Sequence, residues 1–220
     1  MSHHRTALPW IAAGAFALLL ALPSWVFAQK GLKISVADDP SWKEGSPSLV
    51  LLEIGDFQCP YCGRGAREVL PQVFETFVRT GKVELIFLDL PLPTHPQAFK
   101  AAEAVACAGE QNAFWEMHAS LFGNQGALAP EQLAGHAEGL GLDVSAFRAC
   151  LDGGKHAAAI REDVRTAGTL GIRSTPAYLL AERIPGSEKV KILEIIRGLP
   201  PYADLERLLR AHLPPVTGGD

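Results

Sequence analysis

A chain of 220 residues, 48 % hydrophobic and 20 % charged, is long enough for one well-packed domain and does not have the composition of a disordered protein. Its 20 basic and 24 acidic side chains leave a net charge of −4. No basic run stands out, which argues against nucleic acid as a partner.

The N-terminus reads as an export signal over residues 1–28. Met1 to Pro9 carry Arg5 and no acid, and Trp10 to Leu22 are apolar or glycine throughout. Pro23-Ser24 then breaks the helix, and Val26-Phe27-Ala28 suits signal peptidase, so Gln29 is the expected mature N-terminus. This places the protein in the periplasm or another extracytoplasmic part of the envelope. An uncleaved anchor is the alternative, because the apolar stretch to Phe27 approaches the length of a bilayer span. No cysteine lies near Ala28 to carry a lipid.

Residues 29–47 form a lead-in, with a short strand expected at 32–36 and turns at Asp38-Asp39-Pro40 and Gly45-Ser46-Pro47. Leu49-Val50-Leu51-Leu52-Glu53-Ile54 is an almost unbroken apolar run, the pattern of a buried strand. Ala66, Val69, Leu70, Val73, Phe74 and Phe77 then recur at helical spacing, and Gly81 ends that helix. A second buried strand follows at 83–88. Strand, helix and strand in this order call for parallel pairing through a crossover.

Pro91 to Pro96 interrupt the pattern. Helical segments then follow at 98–110, 114–122, from Pro130 onward, at 144–151 and at 156–170. Strands are expected at 176–180 and 190–193, around a turn at Pro185-Gly186. Residues 202–213 make an amphipathic helix with Leu205, Leu208, Leu209 and Leu213 on one side, and 214–220 is a loose tail. The fold class is therefore α/β: a thioredoxin-like domain over 48–213, with a large helical insertion between its β-α-β and β-β-α halves. That insertion, at about 96–169, runs to roughly 70 residues, too long for a loop.

Of the four cysteines, two stand in Cys59-Pro60-Tyr61-Cys62, at the start of the first helix. A cysteine capping a helix faces unpaired N–H groups and the positive end of the dipole, both of which stabilise a thiolate. Pro60 suits the first helical turn, where its missing N–H costs nothing. Cys59 is expected to form the mixed disulfide and Cys62 to resolve it. A zinc site would need a second half, and Cys107 and Cys150 are widely separated while His95, His118, His136 and His156 are scattered. A structural Cys59–Cys62 disulfide is the other alternative, disfavoured by the strand before the motif and the helix that starts in it.

The segment Glu53-Ile54-Gly55-Asp56-Phe57-Gln58-Cys59-Pro60-Tyr61-Cys62 resembles the active-site segment of the DsbA family of thioredoxin-like oxidoreductases. Further segments match in the family's order: Pro91-Leu92-Pro93-Thr94-His95-Pro96, Cys107-Ala108-Gly109-Glu110-Gln111, Phe114-Trp115-Glu116-Met117-His118, Cys150-Leu151 and Gly171-Ile172-Arg173-Ser174-Thr175-Pro176-Ala177. The resemblance implies a redox pair at Cys59 and Cys62, a cis-proline loop at Thr175-Pro176 facing it, and a buried acid at Glu53 that exchanges protons with Cys62. A Glu53 facing solvent from an alternating strand is the plainer reading. Tyr61 departs from the histidine of the best-known periplasmic oxidase and points to a moderate oxidant.

The implied function is an exported thiol:disulfide oxidoreductase that exchanges its Cys59–Cys62 disulfide with cysteine pairs of envelope proteins, as an oxidant. The alternatives are an envelope reductase or isomerase and, from another class, a binding or chaperone module. The expected partners are exported protein substrates and a membrane redox partner, with no nucleic acid; the protein is expected to be a monomer without cofactor or metal. Cys107 and Cys150, near the ends of the insertion, are expected to form a structural disulfide, the alternative being two buried thiols. Phe114 and Trp115 are assigned to the insertion's core, His95 to a loop cap, His118 to structure, and Arg64 and Arg67 to solvent or to the field near Cys59.

Overall fold

The computed structural model describes residues 31–37 and 39–213. The expected signal at 1–28, its cleavage point and the tail at 214–220 lie outside the described residues. Six strands form one sheet in the order β1-β6-β5-β3-β4-β2. At its centre, β3 (Leu49–Gly55) runs parallel to β4 (Val83–Asp89) and antiparallel to β5 (Ala177–Arg183). All seven residues of β3 and of β4 are buried. These strands read as continuous apolar runs because helices cover both faces of the sheet.

Side chains of β3 alternate between two cores. Val50, Leu52 and Ile54 pack with Ala167, Leu170 and Ile172 at the end of α7 (Ala157–Thr169). Leu49 and Leu51 pack with Val73, Phe77, Leu205 and Leu209 on the opposite face, the last two from α8 (Tyr202–His212). Each such fully buried aliphatic side chain contributes roughly 1.5–3 kcal/mol. Glu53 shares the second face by the same alternation. Glu84, also buried, is answered by Arg183 Nε and Nη2 at 2.8 and 2.7 Å. Burial pushes its carboxyl up, and Arg183 and Lys43 more than offset this, so it ends below the usual range.

Between β4 and β5 stand five helices: α3 (Ala98–Gly109), α4 (Phe114–Gly123), α5 (Pro130–Gly139), α6 (Val144–Asp152) and α7. They build a core of their own from Val105, Met117, Leu121, Leu133 and Phe147. Phe57, Phe87, Cys59 and Cys62 belong to that same core, so the insertion rests directly on the redox motif.

Three expectations shift. The helix after Cys59 is not continuous: α1 (Pro60–Glu68) gives way to α2 (Leu70–Val73) and then to a π-helical turn at Phe74–Val78. Pro71, which has no N–H to donate, stands at the break. Strand β6 (Lys189–Arg197) is longer than its apolar centre suggests, because it pairs along β5 and also holds the edge strand β1 (Lys33–Ser35). The two-residue strand β2 (Ser41–Trp42), too short to carry a periodicity, pairs with β4 at the other edge. Gly81 ends the helical stretch at φ 68°, with Glu44 O only 3.1 Å from where a Cβ would stand.

Candidate active site

Cys59 occupies the N-cap of α1 with an extended backbone, and Pro60 opens the helix. Its N–H donates to Asp56 O at 3.0 Å, and its carbonyl accepts from Gly63 N at 3.1 Å. Both thiols of the motif are free, with Cys62 fully buried and Cys59 almost so. The Cys59 pKa is lowered to about 5, first by the Cys62 thiol hydrogen bond and, against the cost of burial, by Thr175 and the N–H groups of Cys62 and Tyr61. The lowering thus comes from hydrogen bonds at the helix start rather than from arginine charge. Cys62 is displaced the other way, far above the ordinary thiol range, by its hydrogen bond to Cys59, by burial and by the charge of Glu53.

The Thr175–Pro176 bond is cis, and Thr175 O lies 3.5 Å from Cys59 Sγ. The Thr175 hydroxyl is buried without a hydrogen-bond partner of ordinary geometry. Glu53 is fully buried, and neither carboxylate oxygen makes a hydrogen bond of ordinary geometry. Burial raises its pKa to about 8, and its cross-strand neighbour Tyr178 lowers it only in part. The solvent-facing alternative for Glu53 therefore does not hold. The structure brings Cys59, Cys62, Glu53, Thr175 and Pro176 to one end of the sheet from three places in the fold: β3, the start of α1 and the loop before β5.

Two residues that the sequence did not single out hold this constellation. Asp56 is buried; its Oδ1 accepts from Gln58 N at 2.7 Å, and its Oδ2 accepts from Leu92 N at 2.8 Å and from His95 Nδ1 at 2.7 Å. His95 thus secures a loop, as expected, but by gripping the strand end just before the motif. Gln125, between α4 and α5, donates through Nε2 to Phe57 O at 2.9 Å and to Cys59 O at 2.8 Å. An acid two residues past the end of an apolar run was a visible signal for Asp56. Gln125 gave none, because its partners lie more than sixty positions away.

His118 is buried against Phe57, Phe87 and Phe122, and burial lowers its pKa to about 3. Trp115 bridges the insertion to Trp42 of β2. Arg67 Nη1 donates to Phe122 O at 2.6 Å and so fastens α1 to α4. Arg64 stacks over Tyr61, a large side chain left 58 % exposed beside Cys59. Cys107 and Cys150 form a disulfide, Cα atoms 5.9 Å apart, that joins α3 to α6. Among the described residues, no third His, Cys, Asp or Glu joins Cys59 and Cys62 in a cluster close enough to hold a metal.

A family model described as thioredoxin matches residues 46–194, from before β3 into β6. The chain belongs to this thioredoxin family. The thioredoxin-like fold with its insertion matches alpha-DsbA1 of Wolbachia pipientis at a TM-score of 0.69 and 21 % identity, over 79 % of this chain and 90 % of that one. It matches oxidised BdbD of Bacillus subtilis at a TM-score of 0.70 and 18 % identity, over 83 % and 96 % of the two chains. A sequence relative, Na(+)/H(+) antiporter NhaA 1 of Salinispora arenicola, is 40 % identical over 147 residues, 66 % of this chain and 22 % of the antiporter. This thioredoxin-family chain spans about a fifth of the length of the curated relatives it matches, and the antiporter name belongs to those longer proteins. No helix of the described residues is long and apolar enough to cross a membrane.

Proposed function

We propose that the protein is an exported thiol:disulfide oxidoreductase that donates its Cys59–Cys62 disulfide to cysteine pairs of envelope proteins. The observation that carries this reading is the opposite displacement of the two thiols: Cys59 held near 5, Cys62 far above the ordinary range. Stabilising the Cys59 thiolate stabilises the reduced enzyme and so makes its disulfide easier to give away. In the forward reaction a substrate thiolate attacks Cys59 Sγ and breaks the Cys59–Cys62 bond. Cys62 leaves as a thiolate and is protonated, with Glu53 placed to supply that proton through the buried site. A second substrate thiolate then attacks the mixed disulfide and expels the Cys59 thiolate. The substrate has lost two electrons and Cys59–Cys62 has gained them.

Thr175 presents its carbonyl beside Cys59, where an extended substrate chain can pair with it as an added strand. The cycle uses no cofactor beyond the cysteine pair, and an envelope redox partner in the membrane restores the disulfide. The test is to titrate the Cys59 thiolate and to equilibrate the pair with glutathione. A Cys59 pKa near 5 and a potential above roughly −200 mV support the oxidant. A pKa near that of free cysteine with a potential close to −270 mV would show a reductase.

A further inference from the structure

The insertion's disulfide has a histidine at its side. One ring nitrogen of His156 and the sulfurs of Cys107 and Cys150 all lie within 4.8 Å of one another. Three elements supply them: Cys107 on α3, Cys150 on α6, and His156 as the N-cap of α7. The two cysteines are buried, and the His156 side chain is 25 % exposed. Glu110 Oε1 stands 2.8 Å from His156 Nε2 and 2.7 Å from Lys155 Nζ. Glu110 Oε1 thus engages Nε2 and leaves Nδ1 as the ring nitrogen available to a metal. Pairing a histidine with a carboxylate in this way orients the ring and raises its basicity as a ligand. A cavity of about 530 Å³, lined in part by Glu110, His156, Ala106 and Gly109, reaches the histidine side of the cluster.

We propose that reduction of the Cys107–Cys150 disulfide converts this cluster into a Zn(II) site with two thiolates and one imidazole. An external dithiol supplies two electrons and two protons, becoming a disulfide itself and leaving two thiols. Zn(II) then displaces both thiol protons, forming two Zn–S bonds and one Zn–N bond, and water completes the tetrahedron. Rotation of the side chains at their fixed Cα separation parts the sulfurs. Thiolate and imidazole donors select a soft ion over magnesium or calcium. The ion would hold α3, α6 and α7 together when the disulfide that joins two of them is open. The site is separate from the Cys59–Cys62 pair and does not depend on the direction in which that pair works.

The test uses the full chain carrying C59S and C62S, so that the redox motif cannot bind the probe. After reduction, one equivalent of Co(II) should give a thiolate-to-metal absorption band that Zn(II) displaces, and the oxidised protein should give none. H156A, which keeps both thiols, should weaken Zn(II) binding by about tenfold or more. Added C107S and C150S should abolish it. If the reduced protein loses its fold, Zn(II) should restore its melting transition, a readout independent of absorption. A reduced protein that binds no stoichiometric metal, gains no thermal stability from Zn(II), or binds as tightly with H156A overturns the proposal.

Discussion

Glu53 is a carboxyl group without a hydrogen-bond partner in a strand buried along its whole length. Its folded pKa of about 8 lies above the ordinary glutamate value of 4.5, so the folded protein binds a proton that the unfolded chain releases between those two values. Glu53 therefore costs nothing below about 4.5, and its cost grows as pH rises toward 8. E53Q should consequently gain in relative stability over wild type as pH rises through that window, measured by urea unfolding at several pH values. A stability difference that stays flat from pH 4 to 8 would sink this account of Glu53. The same variant should slow resolution of the Cys59 mixed disulfide, because Cys62 loses its buried proton partner. Cys59 carries the opposite sign: its thiolate stabilises the reduced fold at high pH, and that contribution disappears as pH falls through about 5.

At the scale of elements, the insertion is fastened to the redox helix by side-chain hydrogen bonds as well as by packing. Gln125 reaches the carbonyls of Phe57 and Cys59, and Arg67 reaches back to Phe122 O on α4. Q125A should cost about 1–3 kcal/mol of stability, since it leaves the Phe57 carbonyl without its donor. It should leave the Cys59 pKa in place, because Gln125 touches backbone and not sulfur; an altered Cys59 titration would contradict this division of labour. The Cys107–Cys150 bridge spans 43 positions, and removing it as C107S/C150S should cost about 4 kcal/mol in the chain-entropy account. Melting temperatures of the oxidised protein and this variant, compared without added metal, check the figure. Equal melting temperatures would mean that the unfolded chain gains little freedom when the bridge is lost.

For the whole molecule, the sheet gathers onto one end of β3 what the sequence spreads over more than a hundred positions. The strand order places β5 beside β3, so that Thr175 and Pro176, just ahead of β5, arrive opposite Cys59, just beyond the end of β3. The same core that supports Cys59 and Cys62 fills the insertion, so the cap and the catalytic motif fold as neighbours. Protein recovered from the envelope should begin at Gln29, and mass spectrometry of the intact chain checks this. An intact Met1 in detergent-extracted protein would establish the membrane-anchored form instead.

The sequence by itself determined the order of strands and helices, the insertion and the redox motif, because each is a local pattern. Unbroken apolar runs mark strands covered on both faces, as in β3 and β4, and a cysteine before a proline at a helix start marks an activated thiol. What periodicity could not see was the break at Pro71, the pairing that lengthens β6, and the two-residue β2, since each depends on a neighbour distant in the chain. Glu53 could be placed in a strand, but only the fold shows both of its faces closed and its oxygens unpartnered. Asp56, His95 and Gln125 become a support for Cys59 only when the segments carrying them are packed together, and His156 meets Cys107 and Cys150 in the same way. Hydrogen bonds and ligand geometry act over a few ångströms in space, and chain spacing does not encode that distance when three elements must close on one point.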